Sequence, residues 1–420
     1  MASVVFYFQV HQPYRLRRYS VFDADPFYFD SQKNGDICRK VAEKCYRPAT
    51  NLILDLVKRH QGRFKVAYAL TGVVIDQWQE FCPDVMDILK RLNDTGCVEF
   101  VGETYYHSLS FLYSREEFKA QIDAHTKKMQ DLFGQTPKVF RNTELIYNND
   151  LAHFISTLPG ADGKPRFLGA ICEGVDNLLG YRSPNYVYRP PHTGDNALGK
   201  PFGVLLKNYR LSDDIAFRFS NRGWAEWPLT AEKFATWVNK INGDGFVCNL
   251  FMDYETFGEH QWADTGIFKF LEALPEKVFD VNPGHNDFAT PTEAFTRFAP
   301  VGAYDVPHMI SWADTERDLS AWLGNAMQSN ALNEVYRLEK LVRQRADAAK
   351  GTGDAKAIEH ARYLYEDWRK LTTSDHFYYM CTKYWADGDV HKYFSPYESP
   401  YDAYINFMNV MDNLRTRATV

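Results

Sequence analysis

Short apolar runs alternate with amphipathic stretches over the first 300 or so residues, and this rhythm constrains the fold more than any other feature. The runs are rich in β-branched and aromatic residues, as buried strands are. They predict seven strands, at residues 4–10, 64–70, 98–102, 139–142, 167–171, 204–208 and 246–252. The helices predicted between them include residues 47–59, 83–95 and 115–133. Repeated βα units of this kind indicate an α/β fold whose parallel strands form a barrel.

Beyond about residue 310 the pattern changes to long helices with few strand signals. Helices are predicted at residues 316–345, 354–371 and 401–415, and Gly351, Thr352 and Gly353 separate the first two. We therefore expect a barrel over residues 1–305. A helical subdomain over residues 306–420 is expected to pack on it and to contribute to the substrate groove.

Composition excludes some classes of function. The net charge of -6, from 48 basic and 54 acidic residues, and the lack of a basic stripe argue against nucleic-acid binding. The first ten residues resemble a buried strand rather than a secretion signal, and no run approaches the roughly 20 apolar residues of a membrane span. Seven cysteines without metal-type spacing favour reduced thiols. We expect a cytoplasmic protein with no membrane association and no cofactor.

Polar side chains follow the predicted strands one after another. His11 follows the first strand, Glu103 and His107 follow the third, Glu144 follows the fourth and Asp253 closes the seventh. The carboxyl ends of barrel strands share one rim, where active sites lie. Cleavage of a glycosidic bond requires at least two acids beside it, and this rim could supply them.

A metal site is the competing interpretation of this cluster. His11, Glu103, His107 and Asp253 are ligand types that a metal-dependent deacetylase on a related incomplete barrel uses. Such enzymes usually carry an Asp-Asp pair on the first strand and an HxxxH pair, and this sequence has neither. We therefore expect no metal.

Five segments, in order, resemble the five sequence regions of glycoside hydrolase family 57, and together they cover nearly the whole chain. They are His11-Gln12-Pro13, residues 96–107 from Gly96-Cys97-Val98-Glu99 to His107, the segment around Glu144, the segment around Asp253, and Ser311-Trp312 through Trp322-Leu323-Gly324-Asn325. The resemblance implies an incomplete (β/α)7 TIM-like barrel followed by an α-helical subdomain. It also implies action on α-glucans with retention of configuration.

The resemblance also implies roles for single residues. Glu144 matches the catalytic nucleophile and Asp253 the general acid/base. Glu255, His11 and Glu99 match residues that contact the substrate.

Within the family, the segments at residues 141–147, 211–219 and 371–380 look most like the α-amylase group. Arg141 and His260 stand where glucanotransferases tend to place tryptophans, which disfavours transfer without excluding it.

The full set of predicted substrate-binding residues lies near these segments. It comprises His11, Glu99, Glu103, His107, Arg141, Asp214, Trp224, Glu255, His260, Trp262, Asp318 and Trp322. The tryptophans offer stacking faces for glucose rings, although bulky core packing accounts for most aromatic residues. The charged residues of this set could instead be solvated loop residues or members of ion pairs, as most charged residues are. Asp213-Asp214 could likewise cap the N-terminus of a helix.

The sequence thus predicts a retaining hydrolase of α-1,4-glucosidic bonds in glycogen, starch or maltodextrin. Glu144 would attack the anomeric carbon while protonated Asp253 donates to the leaving oxygen, with the carboxyl groups about 5–5.5 Å apart. A neighbouring carboxylate, Glu255 or Glu144, would keep Asp253 protonated. A 4-α-glucanotransferase or branching enzyme of the same family, and a glucan-binding protein without turnover, are the alternatives.

Overall fold

The computed structural model describes residues 2–383 and 395–419. The strands are β1 (Ala2–Val10), β2 (Val66–Leu70), β3 (Val98–Phe100), β4 (Val139–Arg141), β5 (Gly169–Glu173), β6 (Val187–Tyr188), β7 (Gly203–Lys207), β8 (Val247–Asp253) and β9 (Asn286–Phe288). All seven predicted strands are present, with bounds that differ by a few residues. The short strands β6 and β9, of two and three residues, were not predicted.

The seven predicted strands run parallel and follow one another around a ring. Pairing joins β3, β2, β1 and β8 in one sheet and β4, β5 and β7 in another. A parallel bridge from Gly102 to Phe140 connects β3 to β4, and the Asn208 amide donates to the Asn249 carbonyl over 2.9 Å between β7 and β8. The predicted (β/α)7 barrel is confirmed.

Strand β1 shows why these runs form a barrel. All nine of its residues are buried, as expected for a parallel strand covered on both faces. Val4, Phe6 and Phe8 point into the core between strands and helices, whereas Val5 and Tyr7 point into the barrel interior. The period of two therefore divides one apolar run between two cores.

The helices cover the strands and then continue beyond the barrel. They are α1 (Ser31–Val41), α2 (Arg47–Arg59), α3 (Gly72–Phe81), α4 (Pro83–Asn93), α5 (Ser110–Tyr113), α6 (Arg115–Phe133), α7 (Asn149–Thr157), α8 (Asp176–Leu179), α9 (Tyr209–Ala216), α10 (Ala231–Asn239), α11 (Ile267–Asp280), α12 (Pro291–Arg297), α13 (Ser320–Leu323), α14 (Ala326–Arg337), α15 (Glu339–Thr352), α16 (Ala355–Leu371), α17 (Ser374–Tyr378) and α18 (Pro400–Thr419). Helices α2 and α6 match their predicted bounds.

The single helix predicted at residues 316–345 is wrong. The chain forms α13, α14 and α15 there, because Asn325 begins a new helix. Its side chain accepts from the Gln328 amide, and the Gln328 side chain accepts from the Asn325 amide, which is a capping box.

The helices after residue 320 pack into a core of their own, which includes Trp322 and Trp368. Ion pairs tie this core to the barrel: Arg343 and Arg369 bind the buried Glu117 of α6 over 2.6 and 2.8 Å. Residues 304, 306 and 310 still pack with barrel residues, and the helices begin at Ser320. The division at residue 306 stays a prediction. In the described part of the chain, no helix is both long enough and apolar enough to span a membrane.

Candidate active site

Glu144 lies in a tight turn directly after β4. Its φ of 55° and that of Leu145, 51°, are left-handed, an uncommon conformation for residues with side chains. Leu145 is buried in the barrel interior. Trp312 fixes Glu144 twice: its indole Nε1 donates to Oε2 over 2.7 Å, and its amide donates to the Glu144 carbonyl over 3.2 Å.

His107, also left-handed with a φ of 51°, holds the other oxygen of Glu144. Its Nε2 lies 3.0 Å from Glu144 Oε1, and its Nδ1 lies 3.5 Å from Glu103 Oε2. Burial lowers the pKa of His107, but the two carboxylates outweigh burial and raise it to about 9. As an imidazolium, His107 donates to both acids at neutral pH.

The electrostatics keep Glu144 ionised. Burial raises the pKa of Glu144, but the hydrogen bond and charge of His107, the charge of Arg141 and the Trp312 bond together lower it below its ordinary value. An ionised carboxylate is the form that a nucleophile requires.

Asp253 is the last residue of β8, and its pKa is shifted in the direction opposite to that of Glu144. Burial is the main cause that raises its pKa to about 6, and the charge of Glu144 adds to the rise. Two residues on, burial and then Asp253 raise the pKa of Glu255 to about 8. Tyr46 donates its hydroxyl to Glu255 Oε1 over 2.5 Å. The pKa of Glu144 is lowered and that of Asp253 is raised. Opposite shifts of this kind are typical of a nucleophile and a proton donor.

His11 joins the barrel to the helical part. Its ring stacks on that of His107 at 4.1 Å, its Nδ1 lies 3.0 Å from Thr71 Oγ1 and its Nε2 lies 2.9 Å from Asp375 Oδ2. Burial and the nearby His107 lower the pKa of His11, although Asp375 opposes them. His11 is therefore the neutral member of the histidine pair.

A loop after β8 carries His260 and Trp262 to the rim. Gly258 shapes it with a φ of 112°, and a Cβ there would lie 1.9 Å from the Lys44 carbonyl oxygen, so only glycine fits. Burial lowers the pKa of His260 to about 4. Trp262 is 61% exposed, with the Lys44 ammonium 5.8 Å from its ring centroid.

Among residues 2–383 and 395–419, no three His, Cys, Asp or Glu side chains converge as metal ligands would. His107 faces two carboxylates, and His11 faces a hydroxyl and a carboxylate.

Residues 5–307 match the family model of glycosyl hydrolase family 57. The chain belongs to this family. It is 41% identical over 414 residues to a Methanocaldococcus jannaschii protein named "Putative alpha-amylase", an alignment that covers 97% of this chain and 83% of the relative. This family-57 chain is therefore a glycosidase.

Solved structures of a family-57-type branching enzyme and of an α-amylase share the fold. A branching enzyme of Pyrococcus horikoshii aligns with a TM-score of 0.65 at 14% identity, covering 94% of this chain and 87% of that one. The α-amylase AmyC of Thermotoga maritima aligns with a TM-score of 0.60 at 13% identity, covering 99% and 96%. At such low identity these likenesses show the fold alone.

In this family-57 barrel, the structure gathers about half of the predicted site residues into one group. The residues linked to Glu144 or Asp253 by contact or by electrostatic interaction, directly or through His107, are His11, Glu103, His107, Arg141 and Glu255. Arg141 and Glu103 have no exposed surface.

Five other predicted residues make contacts elsewhere in the chain. Glu99 accepts from the Thr292 amide and hydroxyl at the start of α12, over 2.8 and 2.7 Å. Asp214 pairs with Arg218 over 2.6 Å. Trp224 packs on Trp237 at the outer core, Trp322 is buried against Tyr378, and Asp318 accepts from the Ser320 amide at the start of α13.

Sequence reasoning missed Trp312 and Asp375 as site residues. Both lie in segments that carried the family resemblance, but neither follows a barrel strand, which was the rule used to select candidates. It also missed a charged cluster beside Trp312. Lys207 lies 5.4 Å from the Trp312 ring centroid and 3.6 Å from the buried Glu173, which Arg317 binds over 2.5 Å.

Proposed function

We propose that this chain is a retaining glycosidase that cleaves α-1,4-glucosidic bonds of α-glucans by double displacement. Glu144 acts as the nucleophile and Asp253 as the general acid/base. The observation that carries the proposal is the placing of the two acids after β4 and at the end of β8, with Glu144 held by His107 and Trp312 over 3.0 and 2.7 Å. The pKa shifts, lowered for Glu144 and raised for Asp253, agree with it in direction. Family membership and the 41% identical relative support the substrate class.

In the first step, a Glu144 oxygen attacks the anomeric carbon and the bond to the leaving oxygen breaks. Asp253 gives its proton to that oxygen and becomes a carboxylate. In the second step, Asp253 takes a proton from water, and the resulting hydroxyl displaces Glu144 from the sugar. Each acid returns to its starting state.

The other residues hold the substrate and the nucleophile. His107 and Trp312 hold the two oxygens of Glu144 in one orientation. This reduces the conformational entropy that Glu144 loses when it attacks the sugar. His11, Glu255 and His260 are proposed to bind sugar hydroxyls, and the exposed face of Trp262 to stack on a glucose ring. Because Trp312 and Asp375 come from the last third of the chain, residues 306–420 are proposed to complete the groove.

Incubation with maltooligosaccharides of defined length tests the function. Hydrolysis gives shorter products only, transfer gives products longer than the substrate, branching gives α-1,6 linkages and a binding protein gives none. Retention requires that the first product carries the α-anomeric configuration by NMR. A β-configured first product would refute the double displacement.

Variants test the two roles separately. Glu144→Gln and Asp253→Asn are each expected to lower the rate by about 1,000-fold or more. A glycoside whose leaving group needs no proton should restore the first step in Asp253→Asn but not in Glu144→Gln. Controls are Glu272→Gln on α11 and Asp287→Asn on β9, which pairs with the start of β1. If Glu144→Gln or Asp253→Asn keeps most of the parent's activity, the substituted residue is not part of the mechanism.

A further inference from the structure

Arg141 is a buried cation without hydrogen-bond partners. Its side chain has no exposed surface, and its Nε, Nη1 and Nη2 atoms all lack a partner within residues 2–383 and 395–419. The nearest acid oxygen is Oε2 of Glu103, 3.9 Å from Nη1. Glu103 is equally buried, and its Oε1 also lacks a partner among the described residues. Unsatisfied buried charge destabilises a fold, so stability does not explain the arrangement.

A closed ring of side-chain contacts joins Arg141 to Glu144 and back. The guanidinium lies 5.1 Å from the Trp312 ring centroid, and Trp312 donates to Glu144 over 2.7 Å. Glu144 lies 3.0 Å from His107, which lies 3.5 Å from Glu103. Glu103 returns to Arg141 at 3.9 Å. Arg141 thus lies beside Trp312, which holds Glu144 directly, and beside Glu103, which holds His107, and no part of its side chain is open to a ligand.

We propose that Arg141 is a positioning residue whose fixed charge, acting through this ring, keeps Glu144 ionised and in place. The inference rests on the role proposed above for Glu144. It replaces the expected substrate contact of Arg141 with an action on Glu144.

The pKa shift of Glu144 agrees in direction with this account. Burial raises the pKa of Glu144, and the charge of Arg141 lowers it, after that of His107. Tyr7, on β1 in the barrel interior, interacts with the same groups, and burial raises its pKa while Arg141 lowers it. The charged and titratable groups around the two acids are Tyr7, Glu103, His107, Arg141, Lys207, Glu255 and Tyr378.

The experiment compares Arg141→Met with Arg141→Lys in the full chain. Methionine keeps the apolar stem and removes the charge, so the acidic limb of the profile of kcat/KM against pH, which reports Glu144, should move up by about one pH unit. Lysine keeps a charge, and its acidic limb should lie nearer that of the parent. KM should change little in either variant, because Arg141 does not touch the glucan.

An acidic limb that does not move in Arg141→Met, or that moves equally in Arg141→Lys, overturns the inference. A raised KM with an unmoved acidic limb identifies a substrate contact instead. If turnover is too low for a profile, carboxyl-13C NMR titration of Glu144 reads the same shift without turnover, and Arg141→Gln replaces methionine if that variant does not fold. Failure here leaves the proposed function intact, since that depends on Glu144→Gln and Asp253→Asn.

Discussion

His107 and Glu144 lie 3.0 Å apart across the strand ends, and both have left-handed backbone, with φ values of 51° and 55°. Such conformations cost free energy and persist where the surrounding structure requires them. Here the two left-handed conformations direct the imidazolium of His107 and the carboxylate of Glu144 towards each other from two separate loops.

Replacing His107 by asparagine tests this bond. Asparagine tolerates left-handed backbone but cannot carry the charge, so kcat should fall by about 100-fold and the acidic limb should move to higher pH. His192→Asn is the matched control, because His192 is exposed and has a φ of 58°. Equal activity of the two variants would show that Glu144 does not depend on His107.

The pH profile of the parent follows from the two acids. Asp253 must be protonated to donate, so activity should fall as the pH rises through its pKa of about 6. Glu144 must be ionised to attack, so activity should also fall as the pH drops through its lowered pKa. His107, whose pKa is about 9, stays protonated across this window. Initial rates of kcat/KM on a maltooligosaccharide measure both limbs, and a profile that is flat from pH 5 to pH 8 would contradict the assignment of Asp253.

The platform role of Trp262 is tested by Trp262→Ala. Loss of the ring should weaken maltooligosaccharide binding about tenfold, and the free energy of unfolding should change by less than about 0.5 kcal/mol because the side chain is on the surface. Tyr181→Ala is the control, since Tyr181 is 94% exposed and was not predicted to bind substrate. Calorimetry on an inactive Glu144→Gln background gives the affinity, and unchanged affinity removes Trp262 from the groove.

The contact between barrel and helices is tested by Glu117→Gln. Glu117 is fully buried between Arg343 and Arg369, so its loss leaves Arg369 without its acid and Arg343 with one acid fewer, and should lower the free energy of unfolding by about 3–5 kcal/mol. The neighbouring Glu116 also pairs with Arg343, at 3.2 Å, but is 77% exposed, and Glu116→Gln should cost at most about 1 kcal/mol. Urea denaturation of both variants gives the comparison; equal losses would mean that burial does not decide the effect.

Local patterns were sufficient for the barrel and for much of its rim. The period of two in β1 and the helical period of α2 and α6 are set by neighbouring residues, so single segments reveal them. His107 and Glu144 were predicted to share a rim because parallel strands end at one edge. The break at Asn325 was missed because a polar cap within an amphipathic stretch looks like one more exposed residue.

Long-range contacts and side-chain direction were not predictable in this way. Asp375 lies 364 positions from His11, and no local pattern joins them. Arg141 immediately follows two buried apolar residues of β4, and whether it points into the barrel or toward the substrate depends on the register of the whole ring. Its burial is a property of the assembled barrel.

The bond from His11 to Asp375 has a consequence for the order of synthesis. Asp375 is synthesised 364 residues after His11, so a nascent chain can form the barrel strands with both acids while His11 still lacks its carboxylate. The bond between His11 and Asp375 therefore forms only after all of the barrel strands have left the ribosome.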